Sequence, residues 1–209
     1  MDATERLLAR KGYRHMTMED IAAESCVARR TIYLHFTGKE EVALCSIDRV
    51  VERLLDRLRA IAAEPSPPEV RLREMLRTRV LFRFDSVRDY HHSFTDMFAA
   101  IRPAYLARRE SYFAAEANAF AVVLEEGRRL ETFTLEDANA TAHTLLIATN
   151  ALLPFSLSAR ELGERAEVEG RVCRIAELLT AGLKAGGAPR NVSDPTNHVR
   201  LGSTAAPPG

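Results

Sequence analysis

A short segment near the start of the chain concentrates side chains that can contact nucleic acid bases and phosphates. Arg29 and Arg30 open a predicted helix, and Thr31, Tyr33 and His35 follow them on the side that the helix leaves exposed. Arginine can bind the edge of guanine through two parallel hydrogen bonds, and hydroxyl and imidazole groups can donate to phosphate oxygens. These residue types at this spacing predict contacts to double-stranded DNA.

Two short helices and a turn hold that segment in place. Thr17 is a good N-cap for the first helix, and Asp20, three residues later, can return the capping hydrogen bond. The segment Ser25-Cys26-Val27 is too short, and too polar at its start, to be anything but a turn. Turns of this motif commonly hold a residue with positive φ, and if the backbone keeps that geometry here, Cys26 is strained and its side chain points away from the DNA groove. The alternative is that Cys26 packs in the head with negative φ.

The second helix can pack against the first through residues at helical spacing. Ile32 and Phe36 lie four residues apart and therefore share one face. We expect that face to contact Ile21, Ala22 and Val27. A helix-turn-helix, whose second helix enters the major groove, is the interpretation that fits both this packing and the exposed donors.

The same residues resemble a known family. The run from Thr31 to Val42 (TIYLHFTGKEEV), preceded by Gly12-Tyr13 and Ile21-Ala22, is similar to the TetR/AcrR transcriptional regulators and covers about the first fifth of the chain. The resemblance implies a DNA-binding head on a helical body. The chain departs from the family pattern in having Cys26 where glycine is usual, and in having fewer residues ahead of Gly12.

The resemblance also implies roles for single residues. Thr31, Tyr33, His35 and Lys39 match positions that commonly touch phosphates in the family, with Tyr33 sometimes near a base. The start of the helix at Lys39 adds backbone amides and a positive dipole end. The predicted DNA-binding residues are Thr17, Arg29, Arg30, Thr31, Tyr33, His35 and Lys39. The alternative for the arginines is simple solvation, because only three of the 29 basic residues of the chain are lysines.

The composition shows no overall excess of basic residues that would by itself indicate nucleic acid binding. The 209 residues carry 29 basic and 29 acidic side chains, and residues 1–45 are balanced at seven each. Any affinity for DNA must therefore come from where the charges lie. No signal peptide opens the chain, and its longest apolar runs are too short to span a bilayer, so we expect a cytoplasmic protein that does not bind membranes. The three cysteines are scattered, which favours inert thiols, with redox sensing by Cys26 as the alternative.

Helical spacing of apolar residues continues along the whole chain and predicts an all-α fold. The three-helix head covers residues 1–38, the ligand-binding and dimerisation body covers residues 39–185, and a disordered tail covers residues 186–209. The first predicted helix covers residues 2–10, the next two form the motif, and a fourth of about 22 residues begins at residue 39. The remaining predicted helices cover residues 69–84, 87–100, 103–126, about 135–153 and 164–184. Thr134 with Asp137 is expected to cap the helix that ends near residue 153. We expect a loop over 154–163, with one short turn capped by Ser158 and Glu161.

Polar residues inside the apolar helices of the body are the candidates for a ligand site. His92 and Asp96 lie four residues apart and share a face, where they could bind a ligand or a metal, or simply hydrogen-bond to each other. The candidate ligand-binding residues are His92, Asp96, Tyr112, Asn118, His143 and Asn150. We predict no metal and no cofactor. The sequence has no phosphate-binding glycine loop, paired-cysteine metal site or nucleophile motif, so we predict that the protein is not an enzyme.

These observations together predict a homodimeric, sequence-specific DNA-binding regulator. The last two helices carry apolar stripes and small residues that suit a four-helix interface between protomers (Ala142, Ala148, Ala151 and Ala176). The expected mechanism is repression of a pseudo-palindromic operator, released when an unknown small-molecule effector changes the spacing of the two heads. The alternative is a helical small-molecule-binding or enzymatic protein whose shortened head no longer binds DNA.

Overall fold

The computed structural model of the chain describes residues 3–88, 91–154 and 163–184, with the side chains of residues 91 and 92 left aside. Eight helices and no strand occur in these ranges, so the all-α prediction is confirmed. The helices are α1 (Ala3–His15), α2 (Met18–Ser25), α3 (Arg29–His35), α4 (Lys39–Ala62), α5 (Pro68–Val87), α6 (His91–Arg129), α7 (Ala138–Asn150) and α8 (Arg165–Lys184). The predicted turn at Ser158 and Glu161, and the predicted disordered tail, lie outside the described residues.

The helical geometry of the first helix breaks at Gly12, close to the predicted end at residue 10. Helix α1 spans Ala3–His15, but Gly12 has φ 75° and ψ 160°, so two helical pieces meet there at a kink. Glycine is required at the kink because its φ is positive and a Cβ atom would lie 3.0 Å from the Ser93 hydroxyl. The described part of the head thus contains three helices.

The turn between α2 and α3 has the predicted geometry. Thr17 Oγ1 accepts from the amide of Asp20 at 3.2 Å, and the amide of Thr17 donates to Asp20 Oδ2 at 3.1 Å. Cys26 caps the end of α2 with φ 56° and ψ 33°, so the backbone keeps the left-handed geometry and the alternative of a negative φ does not apply. Ile32 packs into the head core as expected, whereas Val27, which was expected to contact the same face, is 36% exposed.

The body contains one long helix where the sequence predicted two. Helix α6 spans 39 residues and continues through Pro103, which was expected to start a new helix. Proline removes one backbone hydrogen bond at this point. Ile101 and Tyr105 on either side of it are buried, and we attribute the persistence of the helix to their packing.

Helices α7 and α8 begin and end close to the predicted positions, with one correction. Asp137 alone caps α7, by accepting from the amide of Ala140 at 3.0 Å. Thr134 does not act as this cap. Its amide donates to the carbonyl of Leu183 in α8 at 2.9 Å, which joins α8 to the segment that follows α6.

The hydrophobic core of the head is continuous with that of the body. Leu7 and Leu8 of α1 belong to the same buried cluster as Val80 of α5 and as Met97 and Ile101 of α6. A second cluster fills the far end of the body, between α4, α5, α6, α7 and α8. The division of the chain at residue 38 remains a prediction, but the shared core shows that the head packs directly on α6.

Candidate DNA interface and body cavity

Helix α3 presents an outer face that consists almost entirely of hydrogen-bond donors. Arg29, Arg30, Thr31, Tyr33 and His35 are all exposed, whereas Ile32 is 8% exposed and fixes the opposite face against α2. All five predicted DNA-binding residues of α3 are therefore accessible, with Arg30 nearly opposite Ile32 and with Arg29 and His35 on the two sides of Ile32. The sequence did not single out Leu34, which is 73% exposed at the same surface. An apolar side chain there can contact a thymine methyl group.

The two arginines of α3 have different surroundings. Arg29 forms an ion pair with Glu19 of α2 at 2.7 Å, and its guanidinium lies 5.5 Å from the centre of the Tyr33 ring. Arg30 forms no ion pair within the described part of the chain. Because Arg30 has no carboxylate to leave, it is the better placed of the two to meet a base edge.

Thr17 and Lys39 make bonds within the head that leave one donor each. Thr17 uses its oxygen as an acceptor in the α2 cap, so its hydroxyl hydrogen is still available. The Lys39 ammonium donates to the carbonyls of Tyr13 at 3.1 Å and Arg14 at 3.4 Å, and lies 4.7 Å from the centre of the Tyr13 ring. An ammonium has three donors, so Lys39 retains one for a phosphate.

Two acidic residues of the head are paired away from α3, whereas Glu19 pairs with Arg29 of α3. Glu24 accepts from Arg6 at 2.6 Å and from Arg10 at 2.7 Å, and these hydrogen bonds hold its pKa below the usual range. The hydrogen bond from Lys11 likewise lowers the pKa of Asp20. Helix α3 itself contains no acidic residue.

A second candidate site is a cavity of about 230 Å³ in the body. It lies between α4, α5 and α6, with the end of α7 at its base. Two of the predicted ligand-binding residues, Tyr112 and Asn150, line it. The remaining apolar and aromatic lining consists of Ile47, Val50, Val51, Val87, Phe94, Phe98, Tyr105, Leu106, Phe113 and Leu153.

The other predicted ligand-binding residues lie elsewhere. Asp96 forms an ion pair with Arg14 of the head at 2.8 Å. Asn118 and His143 are exposed, and neither lines the cavity. The side chain of His92 lies outside the described residues, which leaves the His92–Asp96 pair without a test.

Three charged side chains at the buried end of the cavity were not predicted from the sequence. Arg79 and Arg83 of α5 both bind the carboxylate of Glu116 on α6, with 2.6 Å between Arg79 Nε and Glu116 Oε2. Arg79 also donates to Thr149 Oγ1 at 2.7 Å and to Asn150 Oδ1 at 2.8 Å. Burial opposes the ionisation of Glu116, but the charges of Arg83 and Arg79 outweigh it and lower the pKa of Glu116.

A signal for this cluster is present in the sequence. Arg79 and Arg83 lie four residues apart and take up positions on the apolar stripe of α5, next to Met75, Leu76 and Val80. Long charged residues at core positions are rare unless they are paired. This pattern could have indicated a buried ionic site, although nothing local identifies Glu116 as the partner.

Neither a metal site nor a membrane segment emerges from the described residues. No group of three histidine, cysteine or acidic side chains comes together there in a way that could hold a metal ion. None of the helices in the same ranges combines the length and apolarity that a bilayer crossing demands.

The fold and the two sites define a class, an all-α protein that carries a helix-turn-helix on a helical body with an internal cavity. Residues 1–44 match the family described as bacterial regulatory proteins, tetR family. The HTH-type transcriptional regulator TcmR of Streptomyces glaucescens is 42% identical over 66 residues, which is 32% of this chain and 29% of that protein. The uncharacterised HTH-type regulator YerO of Bacillus subtilis is 28% identical over 87 residues, which is 41% of this chain and 29% of that protein.

Solved structures share the fold over most of the chain. A transcriptional regulator from Cytophaga hutchinsonii has a TM-score of 0.69 at 18% identity, over 87% of this chain and 95% of its own. A TetR transcription regulator from Haloarcula marismortui has a TM-score of 0.67 at 21% identity, over 87% of this chain and 94% of its own. The first 44 residues of the chain therefore match the TetR family of bacterial regulatory proteins, and the chain as a whole shares the fold of these solved regulators.

Proposed function

We propose that this chain is a homodimeric, sequence-specific DNA-binding repressor, which a small molecule in the body cavity releases from its operator. The observation that carries the proposal is the composition of α3. Five of its exposed side chains can donate hydrogen bonds, and the helix itself contains no acidic residue. In this proposal Arg30 and Arg29 read bases, and Thr31, Tyr33 and His35 bind phosphates. Thr17 and Lys39 add phosphate contacts with the donors that their intramolecular bonds leave.

Exposed apolar residues on α7 and α8 support the dimer. Ile147 of α7 is 64% exposed and Leu178 of α8 is 74% exposed. Ala148 and Ala151 are exposed on the same side of α7 as Ile147, and their small side chains allow a close approach of a second copy. A pair of protomers joined by these faces would bury apolar side chains that a single protomer leaves in water.

Two of the small residues that the sequence offered for this interface cannot serve it. Ala142 has no exposed surface and Ala176 is 1% exposed, because both pack inside the protomer. Ile175 and Leu179, which are also on the predicted apolar stripe of α8, pack against the intramolecular core as well. The interface that we propose therefore uses the opposite faces of α7 and α8.

The cavity is connected to the head by two helices. Ile47, Val50 and Val51 line it from α4, which begins at Lys39, directly after the head. Phe94 lines it from α6, whose first turns pack on α1. A ligand that favours one arrangement of α4 and α6 would shift the population of head positions, and so the spacing between the two heads of a dimer. A DNA-bound regulator works where the DNA is, so a cytoplasmic location is part of the proposal.

The test is selection of preferred duplexes from a random library by the full chain, followed by gel-shift titration at several KCl concentrations. We expect one pseudo-palindromic sequence with half-sites about one helical turn apart, bound by a dimer in sedimentation analysis. We also expect binding to weaken steeply with salt. A chain that shows no sequence preference at any salt concentration would not be the regulator that we propose.

A further inference from the structure

We infer that the ligand of the body cavity is a small organic acid, whose carboxylate is held by arginines and whose apolar or aromatic body fills the rest of the cavity. The inference rests on the proposed function, because it names the chemistry of the effector for that cavity. It begins from the charges of the lining residues. Four of these residues are arginines (Arg79, Arg83, Arg102 and Arg109), and only Glu116 is acidic.

The excess of positive charge is built into the site at two depths. At the buried end, Arg79 is 1% exposed, Arg83 is 6% exposed, and both bind the same carboxylate of Glu116. Over the whole lining, four guanidinium groups accompany one carboxylate, so the cavity as a whole favours an anion.

At the other end, Arg102 and Arg109 belong to α6 and are exposed. Neither is ion-paired with a carboxylate from the described ranges of the chain. They lie seven residues apart, about two helical turns, so both project from the same side of α6 towards the cavity that they line. Their guanidinium groups are available to attract an anion and to bind it as it enters.

The wall between these two ends is apolar and aromatic. Phe94 and Phe98 stack with their ring centres 5.6 Å apart, and the Phe98 ring meets the edge of Tyr105 at 5.0 Å. The Phe113 ring lies 5.8 Å from the guanidinium carbon of Arg79. A cavity with aromatic walls and a cationic end matches a ligand with an apolar body and one anionic group. At about 230 Å³ the cavity is smaller than most ligand sites, so the acid is small.

The hydroxyl of Tyr112 does not compete for the anion. It donates to a carboxylate oxygen of Asp48 on α4, and burial together with that carboxylate raises the pKa of Tyr112. Arg108 binds the same carboxylate, so the negative charge of Asp48 is compensated outside the cavity lining. Glu116 remains the one acidic lining residue, and its charge is matched by Arg79.

The experiment measures the thermal stabilisation of the full chain, without DNA, by matched acids and neutral amides. The probes are benzoate, 3-phenylpropionate and 5-phenylvalerate, each paired with its primary amide. We expect at least one acid to raise the melting temperature in a saturable manner, its amide to bind about tenfold more weakly or not at all, and salt to weaken the effect. Equal effects of acid and amide, or no effect of any acid at 10 mM, would overturn the inference.

Variants assign the effect to the arginines. The double variant Arg102→Gln/Arg109→Gln changes only exposed side chains and should bind the active acid about tenfold more weakly with its own melting temperature retained. Arg83→Met removes one of the four lining guanidinium groups but keeps the Arg79–Glu116 pair, and should abolish binding. Arg129→Gln, an exposed arginine at the far end of α6, is the control and should bind as the unmodified chain does. Unchanged binding in the double variant and in Arg83→Met would refute the assignment.

This inference and the proposed function can fail separately. Acid binding is measured in the absence of DNA, and operator binding is measured in the absence of acid. Binding of the acid without preference for any DNA sequence would support the organic-acid site and contradict the repressor proposal. Binding of an operator with equal responses to acid and amide would support the repressor proposal and contradict the organic-acid site.

Discussion

Arg14, in the last turn of α1, forms an ion pair with Asp96 of α6 at 2.8 Å. The pair joins the DNA-binding head to the helix that lines the cavity. The side chains are 74% and 36% exposed, so the pair contributes about 1 kcal/mol or less to stability. The pair matters because it fixes α1 relative to α6. The Ser93 hydroxyl of α6 also donates a hydrogen bond to the carbonyl of Leu8 in α1, at 3.4 Å.

The first prediction concerns this contact. Asp96→Asn and Arg14→Gln should each lower the free energy of unfolding by less than about 1 kcal/mol. Each should also lower the operator affinity by about 0.5–2 kcal/mol, because the head is held less firmly on α6. Urea titration and gel shift measure the two quantities. The two variants change the net charge in opposite directions, so opposite effects on affinity would point to long-range electrostatics and not to the lost contact.

The second prediction concerns the turn of the helix-turn-helix. Cys26 has φ 56°, a conformation that costs a side-chain-bearing residue about 1 kcal/mol and glycine almost nothing. Cys26→Gly should therefore leave the free energy of unfolding unchanged or raise it by up to about 1 kcal/mol, and should preserve the operator sequence. Cys26→Ala is the matched control, because it removes the thiol but keeps the strain. If Cys26→Gly loses stability and Cys26→Ala does not, strain is not the property that matters here.

The third prediction concerns a close approach at the end of α6. The sequence suggested that Gly127 ends a helix, but α6 continues to Arg129. A Cβ atom on Gly127 would lie 2.1 Å from Phe133 Cδ2, and the carbonyl of Gly127 accepts from the amides of Thr132 and Phe133. Gly127→Ala should therefore destabilise the protein by about 1–3 kcal/mol through overpacking, despite the better helix propensity of alanine. Gly182→Ala in α8, which meets nothing within 4 Å, should be neutral or stabilising in the same thermal assay.

The features that the sequence predicted correctly depend on residues close together in the chain. The Thr17–Asp20 capping box and the exposed donors of α3 follow from spacings of three or four residues, and the left-handed Cys26 follows from the usual geometry of the turn in this motif. The features that it missed depend on contacts between distant segments. Arg79 meets Glu116 across 37 residues and Thr149 across 70, and no local pattern identifies such partners.

One boundary was wrong because tertiary packing overrode a local preference. Pro103 disfavours a helix interior, so the sequence predicted a helix start there. Helix α6 nevertheless continues through Pro103, where its neighbours Ile101 and Tyr105 are buried. At Gly12 the local preference held, because the backbone there is not helical.

The fourth prediction places the dimer interface on α7 and α8. Ile147→Glu or Leu178→Glu should give a folded monomer with weakened operator binding, because the charge would be buried at the interface but exposed in the free protomer. Sedimentation measures the assembly and circular dichroism the fold. Val122→Glu, at an equally exposed position on α6, is the control and should remain a dimer. An Ile147→Glu or Leu178→Glu variant that still sediments as a dimer would move the interface to another face.

The fifth prediction separates the two arginines of α3. Arg30→Ala should relax the preference at one operator position and cost about 1–3 kcal/mol of specific binding, since its guanidinium has no internal partner in the described structure. Arg29→Ala should cost less, because binding of Arg29 to DNA first requires the loss of its 2.7 Å ion pair with Glu19. Competition gel shifts against single-base variants of the operator measure both effects.

A charge-neutralising change at Glu19 completes that test. Glu19→Gln keeps the shape of the side chain, removes a negative charge next to α3 and releases Arg29. It should raise the affinity for DNA and steepen its salt dependence by about one phosphate contact. In the Arg29→Ala background the same change should have a smaller effect, because there is no arginine to release. If Glu19→Gln raises affinity equally in both backgrounds, Glu19 acts by repelling the phosphates directly and its pairing with Arg29 has no part in DNA binding.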